Sequence, residues 1–128
     1  MKTFTCTIAV FGLFVGIGSA TFTSLTVSQA GAAKADLIDF FSKTNSDYIP
    51  TAVRLAFHDC VGDSCDGCIN LDNSDNNGLS DVIDVLDELY VDSGYDSVMS
   101  RADFWFLAGI AAVERGIAIN NLDCDWDE

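Results

Sequence analysis

An all-α fold is predicted by three features of the 128-residue sequence. Apolar residues recur at helical spacing in four separate stretches. No stretch alternates apolar and polar residues with a period of two. Residues that start or stop helices bound the four stretches. The first helix is expected within residues 34–43, where Leu37, Ile38, Phe40 and Phe41 lie close to one stripe. Residues 45–49 break it, and Pro50 sits where a helix accepts proline, in its first turn. The second helix carries Ala52, Val53, Leu55, Ala56 and Phe57 and runs into His58 and Asp59. Residues 61–78 are rich in Gly, Asp, Asn, Ser and Cys and read as a loop. Gly78 or Ser80 opens the third helix, whose apolar positions are Val82, Ile83, Val85, Leu86, Leu89 and Tyr90. A turn at residues 92–95 precedes Ser100 and Asp103, the spacing of a capping box. The fourth helix that follows, residues 104–113, is apolar nearly all round and is expected to be buried, with Phe104, Trp105 and Phe106 as packing residues. Gly116 is expected to end it.

The length suits one domain, and 49% hydrophobic residues suffice for a core. Six basic residues against 20 acidic give a formal charge of −14, the wrong sign for binding nucleic acid or an anionic membrane surface. Residues 1–20 read as a secretory signal peptide, with Lys2 as the positive region, an apolar run over residues 6–17, and small residues Gly18, Ser19 and Ala20 before the cleavage site. Ala30 and Ala33 are alternative cleavage positions. The leader predicts an extracellular protein with a mature domain over residues 21–128. Cys6 leaves with it, and Cys60, Cys65, Cys68 and Cys124 remain for two disulfides, with three connectivities open.

The residues that point to chemistry are Arg54 and His58. Four positions apart on a helix, they share a face. A guanidinium beside an imidazole is unfavourable for stability alone and disfavours the imidazolium. A neutral imidazole beside a fixed positive charge suits peroxide cleavage. The imidazole takes a proton from the peroxide and returns it to the leaving oxygen, while the guanidinium stabilises the charge that develops as the O–O bond breaks. Phe57 walls such a pocket and keeps it dry.

Arg54-x-x-Phe57-His58-Asp59-Cys60 resembles the distal motif of the secreted haem peroxidases of the plant, fungal and bacterial superfamily. Asn76-Asn77-Gly78-Leu79 is similar to a second stretch of that family, and residues 100–109 to its next long helix. The resemblance spans about residues 34–118 and implies a partial haem-peroxidase fold, about four helices of the distal half. It implies haem b as cofactor, hydrogen peroxide and a reducing donor as substrates, and Arg54, His58 and Asn76 as the catalytic group. Asn76 would accept the Nδ1 proton of His58 and leave Nε2 basic. Arg54, Phe57 and His58 would face the haem. The resemblance also implies a calcium site at Asp59, Gly62, Ser64 and Asp66, although Cys68 stands where the family has a serine, and sulfur is a poor calcium ligand. Cys60 and Cys65 match a disulfide of the plant enzymes, which leaves Cys68 for Cys124; the sequence alone equally allows Cys60 with Cys68.

His58 is the only histidine in the sequence, so a proximal iron ligand is missing. The expectation is a distal-half fragment of a peroxidase or, alternatively, an inactive secreted module that kept this half for binding or structure. A four-helix piece of this kind exposes apolar surface and is expected to be marginally stable or to self-associate. Two rival readings use the cysteines. Cys60-x4-Cys65-x2-Cys68 with Cys124 has the spacing of a two-iron ferredoxin loop, and His58 with cysteines could hold zinc.

Overall fold

The computed structural model describes residues 25–42, 45–61 and 65–122. The proposed leader, Gly62, Asp63, Ser64 and Cys124 lie outside them. The described residues form four helices and no strand: α1 (Val27–Ser42), α2 (Ile49–Cys60), α3 (Ser80–Asp92) and α4 (Arg101–Leu122). Short 3-10 turns at Ser46–Tyr48, Ser74–Asn76 and Tyr95–Ser97 connect them. The all-α expectation therefore holds, and none of these helices is long and apolar enough to cross a membrane.

Two helix ends differ from expectation. α1 starts at Val27, earlier than the apolar stripe alone suggests. Thr26 and Gln29 explain it. Gln29 N–H donates to Thr26 Oγ1 at 3.2 Å and Thr26 N–H donates to Gln29 Oε1 at 2.9 Å, a reciprocal capping box. Ala30 and Ala33, the alternative cleavage positions, fall inside this helix, and Ala33 is in the core. At the other end, Gly116 does not terminate α4, which continues to Leu122. Glycine stops a helix by turning left-handed. Gly67, Gly78 and Gly94 have left-handed backbone and Gly116 does not.

The remaining punctuation acts as the residue types dictate. Pro50 lies in the first turn of α2. Asp103 N–H donates to Ser100 Oγ at 3.1 Å and the Ser100 hydroxyl donates to Asp103 Oδ2 at 2.7 Å, which caps α4. Gly94, at φ 73°, reverses the chain after α3.

α4 is the axis of the packing. It lies mainly against α2 and α1, and α3 touches α2 and α4 more lightly. Its inner face offers Phe104, Trp105, Ala108, Ala111 and Ala112 to Leu37 and Phe41 of α1, Ala52 and Leu55 of α2, and Val82 and Leu86 of α3. Small residues let α2 and α4 approach closely: a Cβ added at Gly109 would stand 2.7 Å from Ala56 Cβ. Arg101 stacks its guanidinium 4.3 Å from the centroid of Trp105 and forms a two-pronged ion pair with Asp87, tying the start of α4 to α3. The Tyr95 hydroxyl donates to Asp36 Oδ2 at 2.6 Å and ties the turn before α4 to α1.

α4 is not buried all round. Phe106, Ile110, Val113 and Ile117 face outward and are exposed, as are Val53 and Phe57 of α2. Of the three aromatic packing residues, Phe104 and Trp105 are in the core, and Phe106 is 56% exposed on the open side.

Candidate functional site

The site is built where the last two turns of α2 meet the loop before α3. The helix puts Arg54 and His58 one turn apart, and the loop supplies their partners. His58 Nδ1 lies 2.7 Å from Asn76 Oδ1. The orientation of that carboxamide is set from its other end, because Asn76 Nδ2 donates to the Asn70 carbonyl at 2.8 Å. The amide oxygen has no proton to give, so the hydrogen between the two must sit on Nδ1, and the lone pair of His58 is then on Nε2. Asn76 is buried, one of two polar residues in the described core.

Arg54 is held by the same loop. Its Nη1 donates to the Asn77 carbonyl at 2.9 Å and its Nη2 to the Asp75 carbonyl at 2.6 Å. These carbonyls were not evident in the sequence, because a backbone acceptor carries no residue signature. The loop is shaped by two asparagines: Asp72 N–H donates to Asn70 Oδ1 and Asp75 N–H to Asn73 Oδ1, each at 3.0 Å.

On the α4-facing side of α2 an open groove of about 440 Å³ runs between α2 and α4. Val53, Ala56 and Phe57 line one side and Phe106, Gly109, Ile110 and Val113 the other. Phe57 is 63% exposed and meets the His58 ring edge-on, with centroids 5.9 Å apart. The α4 wall was missed at the sequence level; its signal was the excess of apolar residues around that helix, read there as burial.

Asp59 points the other way. It is only 5% exposed, and its Oδ1 accepts from Gly67 N–H at 2.8 Å and Cys68 N–H at 3.2 Å. Asp66 Oδ1 accepts from the same Cys68 N–H at 3.0 Å, so the two carboxylates converge on one amide. Burial pushes the Asp59 carboxyl above its ordinary range; the backbone N–H groups of Gly67 and Cys68 counter this, and the Asp66 charge adds to it. Gly67 is in the left-handed region at φ 72°, and a Cβ there would lie 2.9 Å from the Ala102 nitrogen, so the loop is pressed onto the start of α4. Gly62 and Ser64, the other expected calcium ligands, lie outside the described residues. Among the described residues no group of three or more His, Cys, Asp or Glu side chains could hold a metal.

Cys60 and Cys65 form a disulfide, with Cα atoms 4.3 Å apart, which decides against Cys60 with Cys68. Cys68 is disulfide-bonded as well. The ferredoxin and zinc readings are thereby overturned, because both need these sulfurs as thiolates.

Fold and site together define an all-helical protein whose one histidine is held by a carboxamide and whose α2–α4 side carries an open apolar groove. The family model described as Peroxidase matches residues 33–121, and this chain belongs to the peroxidase family. The match runs from α1 through nearly all of α4, a distal-half region. Neither the curated proteins nor the solved structures contain a match to this chain.

Proposed function

We propose that this domain forms the peroxide-handling wall of a haem-dependent peroxidase, which reduces hydrogen peroxide and oxidises a donor one electron at a time. The observation that carries the reading is the His58–Asn76 pair, with Arg54 one turn away on α2.

The residues suit haem b on one side only. Arg54, Phe57 and His58 are the residues that would face it. His58 is the one histidine of this sequence, so a second imidazole to hold the iron would have to be supplied. Bound there, haem would supply the iron redox chemistry of peroxide reduction. The chain's own residues do the rest. Asn76 keeps the proton of His58 on Nδ1, so Nε2 takes the peroxide proton and later delivers it to the departing oxygen. Arg54 holds positive charge where the O–O bond polarises. Phe57, exposed in this structure, would lie against bound haem and be covered by it.

This 128-residue sequence is accordingly expected to lack turnover with haem and peroxide alone. A small axial ligand tests both claims at once. With haem and 2-methylimidazole, which hinders a second axial imidazole, dye oxidation should exceed that of haem and 2-methylimidazole without protein. His58→Leu and Arg54→Leu should each remove the excess. An excess untouched by both substitutions would refute the reading, and strong turnover without added imidazole would refute the missing-ligand claim. The second reading, an inactive binding or structural module, is favoured by the commitment of Arg54 to two backbone carbonyls, and it predicts no excess in any condition.

Two further parts belong to the proposal. Calcium at the Asp59–Asp66 corner is part of the proposal, with Gly62 and Ser64 as the other residues that the family resemblance names and Cys68 contributing none. Secretion is supported by the leader-like residues 1–20 and by the disulfide between Cys60 and Cys65, which suits an oxidising compartment.

A further inference from the structure

We infer that Asn73, an exposed loop residue outside the motif that carries the proposed chemistry, is the positioning residue for both Arg54 and His58. The inference rests on the proposed role of those two side chains, but its geometry stands apart from any haem. Asn73 holds the loop twice: its side-chain oxygen accepts from Asp75 N–H at 3.0 Å, and its carbonyl accepts from Asn76 N–H at 2.9 Å. These two bonds define the turn Ser74–Asn76. The groups that the loop offers to Arg54 and His58 all follow within four residues. The Asp75 and Asn77 carbonyls take the two ends of the Arg54 guanidinium, and the Asn76 carboxamide takes His58 Nδ1. Without the Asn73 side chain, Asp75 N–H has no acceptor in the turn, so the backbone that aims the Asp75 carbonyl and carries Asn76 is held less firmly, and the Asn76 carboxamide keeps only its bond to the Asn70 carbonyl to place it. Asn70 makes the equivalent side-chain bond one step earlier, to Asp72, whose own groups do not reach α2 in these bonds.

A single histidine makes the test direct, since every imidazole signal in the spectrum belongs to His58. The haem-free chain is labelled with 15N, and the ratio of Nδ1–H to Nε2–H tautomer is read from the imidazole nitrogen shifts above the titration range. Wild type should be mainly Nδ1–H. Asn73→Ala should lower the ratio by about fivefold, the effect of losing roughly one net hydrogen bond, while helical circular dichroism is unchanged. Asn73→Ser, which keeps a capping oxygen, should restore the ratio. Asn70→Ala, which loosens the same loop elsewhere, should change it less than Asn73→Ala. An unchanged ratio in Asn73→Ala overturns the inference, and so does an equal loss in Asn70→Ala. Failure of the imidazole-rescue assay with these tautomer results intact would instead strike the peroxidase reading alone.

Discussion

At the scale of single residues, the polar groups of this chain separate into those that hold helices together and those that face the groove. Tyr95 belongs to the first kind. Burial, and then its hydrogen bond to Asp36, push its phenol up to about 12, from an ordinary value of 10.0. The folded state therefore holds the Tyr95 proton over a range where the unfolded chain has lost it. The stabilisation is fully present below pH 10 and is lost as pH rises toward 12, on the order of 2 kcal/mol. Alkaline unfolding should be steep in that window and shallower in Tyr95→Phe. In the ultraviolet, two of the three tyrosines should ionise late, Tyr90 because burial raises its phenol too, and Tyr95 together with unfolding. Residue-level legibility was uneven. His58 was marked by its chemistry and its spacing from Arg54, whereas Asn76 and the Cys60–Cys65 pairing came only from the family resemblance, since the sequence alone equally allowed Cys60 with Cys68. The carbonyls on Arg54, and Asn73 behind them, could not be located from the sequence, because their significance comes from the backbone path of a loop.

At the scale of elements, the groove depends on how closely α2 and α4 pack. Gly109 sets that distance. Gly109→Val should force the helices apart and cost about 1–3 kcal/mol, as overpacking of a tight contact does; chemical denaturation would measure it. Ala108→Gly, a buried position without that contact, should lack the effect on the groove, even where its helix is weakened. Four helices were readable from periodicity and caps, but their ends were not. The Thr26–Gln29 box lies before the apolar stripe of α1, and Gly116 has the residue type of a stop without its left-handed backbone. For α4, counting apolar residues could not separate a fully buried helix from one with an apolar face left open.

At the scale of the whole molecule, the dominant feature is that open apolar face. Val53, Phe57, Phe106, Ile110, Val113 and Ile117 present large side chains to solvent on the α2–α4 side. Scattered exposed apolar residues are ordinary, but these line one groove and its extension. The isolated chain should show concentration-dependent sedimentation, and the double substitution Phe106→Lys with Ile110→Lys should make it monomeric at the same concentrations. A net charge of −14 opposes association at low salt, so added salt should shift the wild type toward larger species.

The grip of the loop on α2 also bears on the order in which the chain organises itself. The bonds from Arg54 and His58 to residues 75–77 close over sequence separations of only 18 to 23 residues. Pairing Ala56 with Gly109, which makes the groove, spans more than twice that distance. Each doubling of a closed loop adds about 0.6 kcal/mol of entropic cost, and the Cys60–Cys65 disulfide already shortens the nearer path. The histidine clamp can therefore assemble ahead of the hydrophobic wall beside it, and a nascent chain would orient its imidazole before it had a cavity to serve.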